Sequence, residues 1–518
     1  MSLTSLPPEL LLEVLKHLER DEDLYHLGLT CKHTHRPAFS MFLKKHKIDD
    51  PTDMFNCLSA YQYPPLLLPL IRASLWIKDI RHITCAVNPG YDRVWNDVRD
   101  LKLDWPHRLL AGAFESSGSV KWANGVTKLL DAAIERGCFS LDVNGGEGLQ
   151  KFYQEKEPDE MPTIIIQNAH KGFKKKLTSS LKTIASRMSL RSKGLSHLTL
   201  EPKLPGPHLR NIDLNYSPMF QYTFYPWTLK MFSNNASTIT HLSLTCPYVP
   251  THIMTHFLSS ITLPHLDHLS ISLFVYQDLL TAAHTVRFYD LVKFLERHPS
   301  IESLDLQGVE KPETPSPILK NRILPRIKRI VAHHVWINTL IGFLDRSPDA
   351  YPLIESIGVT LEYTTYAHFS DKQHTYEPIN GALRRIAQAS FPRPITLELQ
   401  LTTKRGMLEW FDDHTSLGKE NSVISSLSCV SALVLTTRFY VCFGREEVYH
   451  LPGWLALFPA LRSVTLRDLR PEKDGYRLVD DKPLLRRMAV ECPTLELVNT
   501  INLGTLLDGA ERDVGQSY

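Results

Sequence analysis

The chain has 518 residues, with 58 Lys and Arg against 56 Asp and Glu, for a formal net charge of +2. That net balance says nothing strong about nucleic acid or membranes. Hydrophobic residues at 43% and charged residues at 22% exclude general disorder, and the length exceeds one ordinary core, so several units or an elongated array are expected. The eight cysteines (Cys31, Cys57, Cys85, Cys138, Cys246, Cys429, Cys442 and Cys492) are scattered without a CxxC pair. Such spacing fits reduced thiols better than a disulfide framework or a zinc site. Glu9, Glu13, Lys16, Glu19 and Arg20 rule out a secretory signal at the start. The apolar run "YPPLLLPLI" from Tyr63 is nine residues long and holds three prolines, too short to span a bilayer. A cytoplasmic and/or nuclear chain without a membrane segment is expected.

The first segment, "LPPELLLEVLKHLERDEDLYHLGLTCK" from Leu6 to Lys32, predicts two short helices. Ser5 is a candidate cap for the first, Pro7 and Pro8 suit its first turn, and Glu9 complements the helix dipole. Leu10, Leu11, Val14, Leu15 and Leu18 recur at helical spacing as one wide apolar face. Asp21, Glu22 and Asp23 offer caps for the second helix, with Leu24 and Leu27 beneath it. Arg36 to Lys47 predicts a third helix with Phe39, Phe42 and Leu43 on one side. A unit of this size lies near the lower limit for folding alone, so its apolar surface should be shared with the rest of the chain or with a partner.

The order LP-x-E-L-L-x-x-V-L-x-x-L, then D-L, then L-x-L-x-C-K, resembles the F-box, over roughly residues 4 to 46. The resemblance implies docking onto the Skp-type adaptor of a cullin–RING ubiquitin ligase. Leu6, Pro7, Leu10, Leu11, Val14, Leu15, Leu18, Leu24 and Leu27 match the family's apolar positions. Some of these would face the adaptor and others would build the small core, and the sequence alone does not divide the two sets. His33 and Thr34 stand where the family often has a basic residue and an aromatic. The plainer alternative is an N-terminal helical hairpin that packs against the rest of the chain.

Residues 49–138 read as a helical connector and cap. "LLLPLIRASLWIKDIRHI" (66–83) has a helical look, and "VTKLLDAAIERGCFSLDV" (126–143) reads as a helix passing into a strand at Phe139–Val143. "VNGGEG" (143–148) fails as a phosphate cradle, since neither G-K-[ST] nor G-x-G-x-x-G follows. From Met161 to Leu200 there are eight basic residues and no acidic ones, including Lys174–Lys176. Such a run could bind acidic partners or act as a nuclear address, but Phe173, Leu177, Leu181, Ile184 and Met188 recur within it at helical spacing, so a solvated basic helix face is the better reading. Aromatics that could stack on bases are sparse, so nucleic-acid binding is not expected.

The remainder repeats one template: proline, any residue, Leu or Ile, two residues, an aliphatic, one residue, an apolar residue. It occurs at Pro207, Pro264, Pro299, Pro325, Pro352, Pro459 and Pro493, with proline-free copies at Leu195, Ile239, Ile395 and Val430. Proline stops the preceding helix, and the alternating core that follows predicts a short half-buried strand. Helical spacing fills the intervals, as in "YDLVKFLERH" (289–298) and "WINTLIGFLDR" (336–346). One strand and one helix per unit, about eleven times over, predicts an α/β solenoid with parallel strands. It is similar to the leucine-rich repeat, without that family's asparagine ladder, because Lys203, Ser217, Pro247 and Val309 stand at its position. Ordinary α/β domains are the alternative. The domain layout expected is an F-box-like helical domain over 1–48, the connector over 49–138, and a leucine-rich-repeat-like solenoid over 139–518.

If the strands are parallel, His197, Asn211, His241, His268, Ser303 and Arg329 form one row on the concave face. Thr199, Asp213, Ser243, Ser270 and Asp305 form the next. A polar, partly basic strip for binding a target protein is expected there. His252 and His256 lie four apart without the glutamate of a metalloprotease, and no G-x-S-x-G or cysteine nucleophile signature occurs. Neither a catalytic residue, a metal nor a cofactor is expected. The function expected is the substrate-recognition subunit of a Skp–cullin–F-box ligase, with an unidentified protein target. The alternative is an interaction scaffold with no role in ubiquitin transfer.

Overall fold

The computed structural model describes residues 6–18, 20–45, 48, 56–60, 71, 74, 77, 79–86, 118–144, 208–215, 218–220, 224–245, 249–272, 286–312, 323–342, 351–360, 376–401, 404–437, 445–467 and 478–503. The chain divides into two compact units, Met1–His208 and Leu209–Tyr518.

The first unit opens with α1 (Pro8–Lys16), α2 (Asp21–Thr30) and α3 (Lys32–Lys45). Pro7 rather than Ser5 holds the N-cap position of α1, with Pro8 inside the first turn, where a missing N–H costs nothing. Arg20 precedes α2, so Asp21, Glu22 and Asp23 form its first turn instead of capping it. The third helix begins four residues earlier than the sequence suggests, and Pro37 lies within its first turns. Its start is tied down by Thr34, whose hydroxyl donates to the Leu27 carbonyl at 2.7 Å, and by His35, whose Nδ1 meets the Gly28 carbonyl at 2.7 Å. Both residues are buried, so His33–Thr34, read as a departure from the family, begins a clamp between α2 and α3. Phe39 packs over Gly28 so closely that a Cβ there would lie 2.8 Å from the ring.

The 49–138 span is not purely helical. It holds β1 (Cys57–Ala60) and β2 (His82–Ala86) as well as α4 (Gly118–Glu135), which leads into β3 (Ser140–Asn144). The three strands pair in parallel, Cys57 opposite His82 and His82 opposite Ser140. His82 and Ile83, which close the helical-looking run, are in β2. Ile83 and Cys85 are buried at alternate positions, a period of two hidden at the end of a leucine-rich stretch.

The second unit is a succession of strand and helix. Its elements are β4 (Asn211–Asn215), α5 (Tyr225–Asn235), β5 (His241–Thr245), α6 (Thr251–Ser260), β6 (His268–Ser272), α7 (Phe288–Arg297), β7 (Ser303–Gln307), β8 (Arg329–His333) and α8 (His334–Ile341). There follow β9 (Ser356–Thr360), α9 (Glu377–Gln388), β10 (Ile395–Leu401), α10 (Lys404–Asn421), β11 (Val430–Thr437), α11 (Arg445–Leu455), β12 (Ser463–Leu466), α12 (Lys482–Glu491), β13 (Leu497–Val498) and β14 (Ile501–Asn502). Strands β4 to β13 pair in chain order and in parallel, and β14 turns back antiparallel on β13. This is the open α/β solenoid of parallel strands that the template predicts. Pro264, Pro299, Pro325, Pro352, Pro459 and Pro493 all stand in turns just before a strand. The copy at Leu195 lies outside the described residues.

Alternation sets which face is core. In β5, Leu242 and Leu244 are buried while His241, Ser243 and Thr245 are half-exposed, and β4 and β6 repeat this pattern. Leu291 and Leu295 of α7 and Ile337 and Leu340 of α8 complete the same core. Each such side chain contributes roughly 1.5–3 kcal/mol on burial.

The repeats have their own ladder in place of asparagine. One carbonyl ahead of each strand accepts two N–H groups from the next unit. Arg210 accepts from Thr240 and His241, Thr240 from Asp267 and His268, Asp267 from Glu302 and Ser303, and Glu302 from Lys328 and Arg329. In the first unit Arg81 accepts from Phe139 and Ser140 in the same way. Side chains reinforce the ladder. Buried His298 donates from Nδ1 to the Phe294 carbonyl at 2.6 Å and accepts the Leu263 N–H on Nε2 at 2.8 Å. Backbone groups buried between units thus find partners without a repeated side chain.

Candidate interaction surfaces

The N-terminal helices sort the nine expected apolar residues. Leu11, Leu15 and Leu24 are buried and build the small core with Phe39, Phe42 and Leu43. Leu6, Leu18 and Leu27 are half-buried, and Pro7 is exposed. Leu10 is 54% exposed, and Val14 is also on the outside. Two further apolar residues join this exposed set, Leu12 on α1 and Leu29 on α2, the latter 50% exposed. Sequence reading missed both, although Leu12 lies one residue off the core stripe and Leu29 follows the glycine that α3 covers. A unit this small exposing four aliphatic side chains carries an interface signature.

On the sheet, the open face has the expected register. Asn211, His241, His268, Ser303 and Arg329 stand opposite one another from β4 to β8, and Asp213, Ser243, Ser270 and Asp305 form the adjoining row. His197 and Thr199 lie outside the described residues. The rings of His241 and His268 stack at 4.0 Å with an interplanar angle of 2°. Burial pushes both imidazoles below their ordinary pKa. For His268, His241 and Arg329 add to that effect and bring it to about 4. For His241, Asp213 and Asp267 oppose it in part. Both rings are therefore neutral near pH 7.

Arg329 is committed elsewhere. Its guanidinium donates two hydrogen bonds to Glu398 on β10, each 2.9 Å, and Ser356 of the intervening strand donates to the same carboxylate. Burial raises the Glu398 carboxyl, but the Arg329 bonds outweigh it and hold it below its ordinary range. Such a two-pronged pair is the strong form of the interaction. On β9 beside it, Gly358 leaves room for Val331, which a Cβ would meet at 2.6 Å. The expectation of a partly basic strip is corrected here. The histidines are uncharged, the arginine is neutralised, and the carboxylates of Asp213, Asp267 and Asp305 set the sign from β4 to β7.

A cavity of about 390 Å³ beside α9 and α10 contains a Ser–His–Asn chain. Ser422 Oγ and His414 Nδ1 are 2.8 Å apart, and His414 Nε2 and Trp410 Nε1 both donate to Asn380 Oδ1 at 3.0 Å. Ser422 also caps the following turn by accepting the Ile424 N–H, and all three triad-like residues are buried. The network joins three elements and has the form of packing support.

His256, from the i, i+4 histidine pair, meets the Tyr225 hydroxyl at 2.7 Å. Among the described residues no group of three or more His, Cys, Asp or Glu side chains could hold a metal, and Cys31, Cys57, Cys85, Cys138, Cys429 and Cys492 are free thiols. No helix among the described residues is long and apolar enough to cross a membrane. The basic stretch 161–200 lies outside the described residues.

Residues 3–47 match the family model for F-box-like domains. The N-terminal segment is F-box-like. Its clamp at Thr34 and His35 and its exposed Leu10, Leu12, Val14 and Leu29 fall within the matched range. No curated protein matches the chain. Among solved structures, the chain is similar to the leucine-rich repeat-containing protein LegL7 from Legionella pneumophila, at 13% identity and a TM-score of 0.34, over 61% of this chain and 93% of that one. The repeat architecture rests instead on this chain's own strand register. An F-box-like segment with a repeat array is an arrangement of interaction modules.

Proposed function

We propose that the protein is the substrate-recognition adaptor of a Skp–cullin–F-box ubiquitin ligase. The F-box-like helices dock a Skp-type adaptor and, through it, the cullin and RING subunits. The sheet binds a target protein. The protein performs no covalent step in this role and acts by raising the target's concentration near the charged conjugating enzyme. One observation carries the reading: Leu10, Leu12, Val14 and Leu29 remain exposed on a segment whose core is already complete without them. Aliphatic anchors presented on helices suit a hydrophobic groove.

Co-purification of the full chain with a Skp-type adaptor and cullin tests the proposal. Wild type is expected to retain both, and a Leu6→Ala/Pro7→Ala/Leu10→Ala variant to lose them. Leu6 also supplies a carbonyl to His33, so Leu10→Asp/Val14→Asp, confined to exposed positions, is the cleaner companion. Adaptor binding without cullin would favour a scaffold outside ubiquitin transfer. No binding by wild type would end the ligase reading.

A further inference from the structure

Three consecutive residues at the start of α3 reach three carbonyls on the two preceding segments. Thr34 and His35 take those of Leu27 and Gly28 on α2, each at 2.7 Å. His33 takes that of Leu6, its Nε2 donating at 3.3 Å. Successive residues of a helix point about 100° apart, so a single turn of α3 addresses both neighbours. The two neighbours differ in what else holds them. α2 has two bonds from buried side chains. Among the described residues, the His33–Leu6 bond is the only hydrogen bond that joins residues 6–18 to α2 or α3.

α1 does not fix its own start. Pro7 stands at its N-cap and no side chain caps it. Its hydrogen-bond ladder begins with the Leu11 N–H on the Pro7 carbonyl at 3.0 Å, one residue beyond Leu6. What otherwise seats α1 is the apolar packing of Leu11 and Leu15. Such packing is non-directional and leaves a helix able to turn or slide on its core, whereas a hydrogen bond is directional and sets one register. Leu10 lies four residues after Leu6, and Leu29 four residues before His33. The bond therefore joins the two stretches that carry exposed anchors.

We infer that His33 is a positioning residue for adaptor docking: its bond to Leu6 holds the first turn of α1 beside the end of α2, so that Leu10 and Leu29 meet the adaptor as one surface. The inference rests on the adaptor reading and deepens it, because it makes affinity depend on an exposed polar residue outside the apolar set. What position 33 must supply is a donor.

Titration calorimetry of the full chain with a Skp-type adaptor tests this with two variants. His33→Gln offers an amide nitrogen in place of Nε2, and His33→Leu offers no donor. His33→Leu is expected to bind about threefold to tenfold more weakly than wild type, and His33→Gln to bind within about twofold of it. Both should keep the wild-type melting temperature, since position 33 is exposed and the Thr34 and His35 bonds remain. In a Leu10→Ala background His33→Leu should cost little more, because the bond acts through the placement of Leu10. Equal affinity of wild type and His33→Leu, equal losses in the Gln and Leu variants, or an undiminished loss in the Leu10→Ala background would overturn the inference. A loss accompanied by a lower melting temperature would do the same, since the role would then be structural. Any of these results with wild type still bound leaves the ligase reading standing. No binding by wild type removes that reading and this inference with it.

Discussion

Leucine has opposite destinations in the two units of this protein. In the array, the leucines of β5 to β7 are sealed between sheet and helices, and Leu242, Leu269 and Leu304 have no exposed surface. In the N-terminal helices, Leu10, Leu12 and Leu29 stand in solvent beside a core that Leu11, Leu15 and Leu24 already fill. A repeat array satisfies its apolar residues by adding neighbours along the chain. A helical unit of some forty residues has too little volume to hide all of its own, and what is left over is available to another molecule. The difference makes one set a stability device and the other a binding device, and substitutions should separate them.

The largest effect is expected in the array. Leu304→Ala in β7 removes a side chain enclosed on every side and should cost about 2–5 kcal/mol, since the packed neighbours relax only in part. Chemical denaturation read on the full chain would show it, and adaptor binding should survive if the two units fold independently. Smaller, and confined to the first unit, is Gly28→Ala. Its new methyl would enter the space of the Phe39 ring, and overpacking of this kind costs about 1–3 kcal/mol. Here adaptor binding should weaken along with stability, because α2 cannot keep its distance from α3 and hold Leu29 in place. A Gly28→Ala protein that keeps full stability would show that the Phe39 contact is not the constraint described above.

The array was legible where one short rule generates it. Proline then alternation locates β4, β6 to β9, β12 and β13, the proline-free copies locate β5, β10 and β11, and the register of Asn211, His241, His268, Ser303 and Arg329 follows from counting positions within parallel strands. What could not be read was anything settled by contact between distant residues. Arg329 looks like a free cation until Glu398, 69 residues later, arrives two strands away, and this reverses the sign of the strip. In the F-box-like segment the motif names the apolar positions, but which of them point inward depends on how α3 crosses α2. Thr34 and His35 decide that crossing through hydrogen bonds that no apolar pattern reveals. β1 and β2 escaped because short strands beside a leucine-rich run give no period longer than the run itself.

Acid should distinguish the array through its histidines. His268 and His334 are depressed to about 4, in both cases chiefly by burial, whereas an unfolded histidine titrates near about 6.5. Between those values the unfolded chain binds protons that the folded array does not, so stability is fully present above about pH 6.5 and declines as pH falls toward 4. The carboxyls of Asp213 and Asp267, raised by burial, act oppositely at the acid end, where the folded form takes up protons first. Denaturation midpoints measured from pH 7 to pH 5 should therefore fall. His268→Asn should flatten the slope, and an unchanged slope would place the proton uptake on other groups.

The smallest expected effect on stability is the most informative. Leu10→Asp and Val14→Asp alter α1 only on its outer side, where nothing in the fold requires an apolar residue, and exposed substitutions of this kind usually shift stability within about 0.5 kcal/mol. Binding should respond very differently. Anchors that enter a partner's groove cost more than about 1 kcal/mol when removed, so adaptor affinity should drop by about tenfold or more. Leu15→Ala, one turn from Leu11 on the inner side, should lose binding as well, but only by unfolding the helices, which circular dichroism would register. Equal behaviour of Leu10→Asp and Leu15→Ala would mean that the outer leucines are also part of a core. The contrast between the two units would then be one of packing density alone, with no docking face at the N-terminus.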